Sequence, residues 1–511
     1  MNTDVLIVGA GPTGLMAANQ LERFGIDFII IDSKSGPTVE SRAILVTSRS
    51  IEIYQQMGLS DQVVNNGKKV TSFNLFTNGK VRGEVQIGEL GKEQSEFSYL
   101  LAFEQFKNEK LLSERLDNLG KSVLWEHEYL KMLEYENKVT AMVRHQGEEF
   151  VIEAKYIIGC EGAKSPIRHE LDFSFRGGTY EQKFFVADTV MEAEIGSDKL
   201  IVSPGKENFV ALMPETNAHT YRVLGTLPSK FNKKDDVTFN DIKETVKKTL
   251  NLQIDFKEVN WFSIYKLHHR AVDHFSEGRV FLAGDSAHIH SPAGGQGMNT
   301  GLQDAYNLCW KLAMVLKGQA PERLLRTYNE ERMPFAKWLL KFTDRGFTFM
   351  SSRNIFIRVF RKLFGLPMAG ILMKREKIRK LAFKTVSQIG WSYNEHSIAE
   401  DTSTPELEFY AGDRFPYFIQ DNLYLKLTEP AFHLVHIGTN PLSEADWNGF
   451  KETFTGDLIL VEDPIIEKWN SLGVTNELII LVRPDNYIAY IADGYDQQQL
   501  NEYLKKVGLK A

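Results

Sequence analysis

The sequence predicts an α/β protein: a parallel, doubly wound sheet, an antiparallel sheet inserted into it, and a smaller α/β unit at the C-terminal end. Three observations predict it. Val5-Leu6-Ile7-Val8 and Phe28-Ile29-Ile30-Ile31 are apolar strand runs on either side of helical periodicity over 13–24, which is a β-α-β start. Over about 183–227 the pattern breaks into short segments, Phe209-Val210-Ala211-Leu212-Met213 and Tyr221-Arg222-Val223-Leu224, with Pro214-Glu215-Thr216-Asn217 as the turn between them. After Gly412-Asp413-Arg414-Phe415-Pro416, strands at 432–437, 458–461, 478–482 and 487–491 alternate with turns and helices, and Arg483-Pro484-Asp485-Asn486 reads as a hairpin turn. Between these regions the strand at 279–283 returns to the parallel sheet, a glycine-rich loop follows, and a helix runs over about 300–316. Helical patterns then dominate to about 390.

A chain of 511 residues exceeds one ordinary core, so two or three domains are expected. The formal charge of -7 leaves no basic footprint, and no nucleic-acid partner is expected. Met1-Asn2-Thr3-Asp4 leads directly into a strand with no positively charged leader, which makes the cytoplasm the expected address. The two cysteines, Cys160 and Cys309, lie far apart without ligand spacing; they read as buried small hydrophobes, and no metal site is expected. No apolar run reaches the ~18 residues of a membrane span. The basic stretch 353–380 reads as a helical connector with a solvated face, and no membrane association is expected. His268-His269 lacks partner ligands, and His288 and His290 read as hydrogen-bonding groups of a turn.

Gly9-Ala10-Gly11-Pro12-Thr13-Gly14 follows a strand and opens a helix. The first glycine permits the tight turn, the second lets backbone approach a pyrophosphate, and the third lets helix and sheet pack closely. Pro12 suits the first helical position, and the N–H groups beyond it face phosphate charge. Asp32, followed by Ser33, ends the second strand where a carboxylate can accept ribose hydroxyls. Together these residues predict dinucleotide binding in a Rossmann-like domain. A second constellation points to FAD. In Gly284-Asp285-Ser286-Ala287-His288 the carboxylate can bond a polyol chain. In Pro292-Ala293-Gly294-Gly295-Gln296-Gly297-Met298-Asn299 the backbone N–H groups of Gly297, Met298 and Asn299 can meet negative charge developing on a reduced flavin ring.

With these motifs in place the sequence resembles the class A FAD-dependent aromatic monooxygenases of the para-hydroxybenzoate hydroxylase and phenol hydroxylase type, over essentially the whole chain. Gly159-Cys160-Glu161-Gly162-Ala163-Lys164-Ser165-Pro166-Ile167-Arg168 resembles that family's middle fingerprint, with Glu161 where the fingerprint has Asp. The resemblance implies that Glu161 and Arg168 border the NAD(P)H groove, that Arg42 lies near the flavin and its phosphates, and that Gln105 reaches the ribityl chain. It also implies that backbone at Tyr129 meets adenine and that Pro292 and the glycines after it wall the flavin. Arg483-Pro484-Asp485 with Ala489 resembles the thioredoxin-like domain of phenol hydroxylases, although residues 396–511 hold no cysteine.

The expected organisation is therefore an FAD-binding domain over 1–345 with an interleaved substrate sheet at about 173–275, a helical connector over 346–395, and a thioredoxin-like domain over 396–511. That last domain is expected to serve packing and oligomer contact, with a homodimer left open. The resemblance implies non-covalent FAD, NADPH or NADH as transient reductant, and hydroxylation of a phenolic or other electron-rich aromatic by O2 through a flavin hydroperoxide. A flavin oxidase or reductase without oxygen insertion, and a flavin-bearing binding protein, stay open as alternatives. The catalytic side chain is not legible.

Overall fold

The structure is a computed structural model; it describes the chain apart from residues 40–42, 78, 206–207, 232–233, 235, 291–294, 353, 361–367, 369–371, 373–374, 396–397, 404–406, 420–421 and 510–511. The first strand, Asn2–Val8, is central in its sheet. It runs parallel to Phe28–Asp32 on one side and to Glu148–Gly159 on the other, and Glu148–Gly159 in turn runs parallel to Val280–Leu282. Val5, Leu6 and Ile7 are wholly buried, with helix Pro12–Arg23 and the antiparallel strand His127–Glu134 both packed against this part of the sheet, which is why these strands read as continuous apolar runs. Helix Pro12–Arg23 packs on helix Gly297–Leu316, and both begin where the parallel strands end.

The inserted sheet is larger than the sequence suggests. Its eight strands are ordered 288–289, 254–272, 175–193, 220–226, 209–214, 199–204, 72–77 and 80–86. The last two, Ser72–Thr77 and Lys80–Gln86, form a hairpin contributed by the N-terminal region. Asn78-Gly79 between two alternating runs was the legible signal for it, and Gly79 takes the left-handed backbone (φ 72°) that such turns require. One face of the sheet, carrying Phe185, Ala187, Leu212 and Val223, packs under helix Phe239–Leu250. The other face carries Phe184, Phe209, Ala211, Met213 and Leu224 and packs toward the parallel domain.

The C-terminal sheet has strands Leu458–Asp463 and Phe432–Ile437 parallel, with Leu478–Val482 and Ile488–Asp493 following as an antiparallel pair. Its two faces differ in what they cover. Val435 and Ile437 face a local core around Phe415 and Trp469, whereas Phe432 and Leu434 join the core of the parallel domain, where Trp310 meets Phe432 edge-on at 5.7 Å. The turn read as a simple hairpin, 483–486, is pressed into that junction. Arg483 is 1% exposed and holds Glu331 at 2.7 and 2.9 Å and Asp485 at 2.9 and 2.6 Å. Lys311 adds a bond to Glu331 at 2.9 Å, and Trp310 donates to Asp485 at 3.0 Å.

Only parts of 353–380 are described, chiefly the short helix Ile355–Phe360 and the start of Glu376–Val386. Among the described residues no helix is long and apolar enough to cross a membrane, and no group of three or more His, Cys, Asp or Glu is placed to hold a metal.

Candidate active site

The three motifs meet at the ends of the parallel strands. Gly9 has φ 102°, and a Cβ there would lie 2.5 Å from the Cys160 carbonyl oxygen; a Cβ on Gly14 would overlap the Gly9 carbonyl oxygen. Both positions therefore require glycine for packing. Gly11 is different, since a Cβ there meets nothing within 4 Å. The space in front of the helix is open where backbone N–H groups point outward, and the first helical bond, Leu15 N–H to the Gly11 carbonyl at 2.9 Å, leaves the N–H groups of Thr13 and Gly14 ahead of it. Asp32, 9% exposed, accepts from Ala10 N–H at 2.7 Å and Lys34 N–H at 2.8 Å, so its carboxylate is fixed at the rim of that opening. Ser33 beside it is exposed.

Thr13 joins the first motif to the second. Cβ atoms built on Gly284 (φ 61°) and Gly301 would both strike its Oγ1, so the Gly284-Asp285 turn and helix Gly297–Leu316 close onto the first glycine loop. Asp285 projects from the 3-10 turn Gly284–Ser286 as an exposed carboxylate. Helix Gly297–Leu316 makes its first bond from Thr300 N–H to the Gln296 carbonyl at 3.0 Å, which leaves the N–H groups of Gly297, Met298 and Asn299 ahead of the ladder. The Asn299 side chain is engaged in the scaffold: it donates to the carbonyls of Leu45 (2.8 Å) and Gly295 (3.0 Å) and accepts from Thr47 N–H (2.9 Å).

The middle fingerprint clamps the same turn. Ser286 Oγ donates to Glu161 at 3.1 Å and accepts from Gly162 N–H at 3.0 Å, while Arg168 donates to the Ser286 carbonyl at 3.1 Å and the Ala163 carbonyl at 2.9 Å. Burial raises the Glu161 carboxyl and lowers the Arg168 guanidinium from their ordinary values. Tyr129 lies on the edge strand His127–Glu134, with its hydroxyl on Glu170 at 2.5 Å. Gln105 opens helix Gln105–Asn118, accepting from Ala43 N–H at 3.2 Å and donating to Glu109 at 2.9 Å. Arg42 and Pro292 fall outside the described residues.

Several residues of this architecture escaped the sequence reading. Glu109, wholly buried, accepts from Thr38 N–H at 2.7 Å and so anchors the loop after Asp32; Gln105 and Glu109 at i,i+4 on one helix face were the available signal. Asp304 receives His288 at 2.6 Å, Arg332 at 2.7 Å and Gly284 N–H at 3.1 Å; burial pushes its carboxyl up, but His288 and Arg332 outweigh that and hold it low. His288 is thereby a scaffold group. His290, stacked on it at 5.3 Å, is driven down to about 3 by burial and stays neutral. Burial also pushes both thiols up. Replacing Cys160 and Cys309 together by Ala is accordingly expected to leave a folded, flavin-loaded protein with its NAD(P)H oxidation rate largely intact, at a stability loss of about 1–2 kcal/mol. Complete loss of turnover in the loaded double variant would contradict this.

On the face that packs toward the parallel domain, the inserted sheet carries an apolar, aromatic cluster. Phe347 lies 5.1 Å from Phe184, 5.5 Å from Phe209 and 4.9 Å from Tyr180, and Leu45, Met213, Leu224 and Phe383 complete the cluster.

Comparison with known proteins agrees with this geometry. Residues 2–343 match the family described as FAD binding domain. The chain is 33% identical over 352 residues to a 6-methylpretetramide 4-monooxygenase of Streptomyces rimosus, covering 68% of this chain and 62% of that protein. It is 31% identical over 346 residues to the pentachlorophenol 4-monooxygenase of Sphingobium chlorophenolicum, covering 66% and 63%. These two alignments thus span a little under two thirds of the relatives' own lengths. Among solved structures, the OxyS anhydrotetracycline hydroxylase from Streptomyces rimosus superimposes with a TM-score of 0.77 at 25% identity, covering 100% of both chains.

Proposed function

Because the chain belongs to the FAD-dependent aromatic monooxygenase family, whose FAD-binding domain it carries over residues 2–343, we propose that it hydroxylates a phenolic or other electron-rich aromatic small molecule using NAD(P)H and O2. The observation that carries the reading is the meeting of an open phosphate cradle at Gly11, the Asp285 turn and the bare N-terminus of helix Gly297–Leu316 beneath an aromatic-lined sheet. The residues present fit FAD. In this reading Gly9 to Gly14 receive the pyrophosphate, Asp32 and Ser33 the adenosine ribose, and Asp285 and Gln105 the ribityl chain. Bound there, FAD supplies hydride acceptance from NAD(P)H and activation of O2.

The chain's own contribution is positioning and exclusion of water. The N–H groups of 297–299, at the positive end of a 20-residue helix, favour negative charge on a ring placed before them. Phe184, Phe209, Met213 and Leu224 hold an aromatic ring against that site and keep it dry, which suppresses loss of reducing equivalents to peroxide. Glu161 and Arg168, tied to Ser286, Ser165 and Ala163, would serve a nicotinamide by fixing the loop it lies against. We retain the division into an FAD domain with its inserted sheet, a connector and a thioredoxin-like C-terminal domain as part of this proposal.

The test is a screen of phenols and fused polycyclic aromatics for accelerated NAD(P)H oxidation by the FAD-loaded protein, with product masses read in parallel. Acceleration with a product heavier by one oxygen supports the reading. Absence of any oxygenated product across the panel contradicts it.

A further inference from the structure

Alternation along the inserted sheet puts three ionisable side chains on its aromatic side, the face that packs toward the parallel domain. Asp188 shares the face of Phe184 on strand Phe175–Ala193; Arg222 shares that of Leu224 and lies opposite Asp188 in register. Glu215 follows Met213 by two residues at the end of strand Phe209–Pro214, and Met213 lies opposite Arg222. All three are deeply placed, with Arg222 2% and Glu215 8% exposed. Asp188 takes two donors of the guanidinium, at 2.6 Å from Nε and 2.7 Å from Nη2, and Trp261 lies beside the guanidinium at 5.6 Å. Glu215 is left 3.9 Å from Nη2. Among the described residues no N–H or hydroxyl donor bonds the Glu215 carboxyl, and the Asp188 carboxylate lies close enough to act on it. Two carboxyls therefore face one guanidinium on the side of the sheet that carries the aromatic cluster.

Neighbouring charged groups among the described residues have partners of their own. Glu104, the residue before Gln105, accepts from Thr216 N–H at 2.9 Å and Oγ1 at 2.8 Å and pairs with Lys107 at 3.1 Å. Lys68 donates to the Asn217 carbonyl at 3.2 Å. These bonds join the turn carrying Glu215 to the helix that opens at Gln105, so the carboxyl is held at the margin between the flavin site and the apolar underside. A polar group placed so, without a donor of its own, is suited to a hydrogen-bond donor arriving with the substrate.

We propose that Glu215 is the proton acceptor of the substrate site, taking the proton from the hydroxyl of a phenol held under the inserted sheet, with Asp188 and Arg222 positioning it. The inference rests on the functional reading above. The substrate O–H bond breaks, an O–H bond forms on the carboxylate, and the electron pair stays on the phenolate oxygen. Ring electron density rises where oxygen is to be inserted.

Burial, then the Asp188 charge, push the Glu215 carboxyl up to about 8, against the opposing pull of Arg222. That makes it a far better match for a phenol than an ordinary carboxylate. The group is protonated below that value and is a base above it. Hydroxylation kcat/KM of the FAD-loaded enzyme should therefore rise with pH through a limb near 8 to a plateau.

The test combines two readouts. Infrared titration of the holoenzyme should show a protonated carboxyl lost near pH 8 in the unsubstituted protein and missing in Glu215→Gln. With the fastest phenol of the screen, Glu215→Gln should lose the alkaline limb and fall about 10²-fold in kcat/KM at the plateau, while Glu215→Asp recovers part of both. Asp188→Asn removes the neighbouring negative charge, so its limb should move to lower pH; a purely structural role would not move it. This variant keeps the test decisive should Glu215→Gln fail to fold. An unchanged limb in both variants, with oxygen insertion retained, overturns this inference alone. Absence of oxygen insertion by the unsubstituted enzyme overturns the functional reading and this inference together.

Discussion

Replacing Gly11 by Val is expected to yield a folded protein that purifies nearly colourless, with FAD affinity reduced at least ~100-fold, equivalent to about 2.8 kcal/mol. The reasoning depends on what each glycine touches. A Cβ on Gly11 meets nothing within 4 Å, so the polypeptide tolerates a side chain there. The isopropyl group would instead fill the space before helix Pro12–Arg23, where a pyrophosphate has to reach the exposed N–H groups. Gly14→Ala is the contrasting variant, because its methyl group would overlap the Gly9 carbonyl oxygen and damage the fold directly. Asp285→Ala should give the milder loss expected of one charge-assisted hydrogen bond, about 1.5–3 kcal/mol. The ratio of flavin absorbance to protein, with thermal melting of the apo form as the control for folding, separates the three cases. Full FAD occupancy in Gly11→Val would show that the first glycine loop is not the phosphate cradle.

The largest effect on stability is expected at Arg483. Its guanidinium satisfies Glu331 and Asp485 in a region with no water access, and Lys311 alone cannot balance both carboxylates once it is gone. Removing one member of such a network leaves buried charge uncompensated and costs about 3–5 kcal/mol. Arg483→Met keeps the volume and removes the charge, so it isolates that term from cavity formation. Arg483→Lys should recover little, since one ammonium cannot reproduce paired bonds to two carboxylates. The consequence should reach the Gly284–Ser286 turn as well. Asp485 receives Trp310 from helix Gly297–Leu316, and Glu331 adjoins Arg332, which holds Asp304 and through it Gly284. Arg483→Met is therefore expected to melt at markedly lower temperature and to release FAD more readily. Melting alongside the unsubstituted protein would contradict the account of this junction.

These two positions also mark where the sequence was informative and where it was not. The parallel domain was legible because each cue there is local: a strand, a glycine whose packing is set by its neighbours, and a carboxylate at the next strand's end. Thr13, which Gly284 and Gly301 close upon, shows why the motifs were readable in pairs, since each is a short stretch and only the fold brings them together. The hairpin Ser72–Thr77 with Lys80–Gln86 carried a local signal in Asn78-Gly79 yet pairs with strand Lys199–Pro204, Ser72 lying opposite Lys199, so its sheet could not be inferred from spacing. Arg483-Pro484-Asp485 read as a turn, and a turn it is. Glu331, 152 positions from Arg483, and Trp310, 175 positions from Asp485, are its partners and turned it into the ionic centre of a shared core. Asp188, Glu215 and Arg222 were invisible for the same reason: a charged residue on an alternating strand reads as solvent-facing until the opposite layer is known.

The central claim is oxygen insertion, and its most direct test is turnover of the FAD-loaded enzyme under isotopically labelled O2. The account predicts a product heavier by one labelled oxygen atom, with NAD(P)H consumed in near proportion to product and with flavin reduction accelerated when the aromatic substrate is bound. Unlabelled product with stoichiometric peroxide from every active substrate would contradict it and identify the protein as an oxidase or reductase.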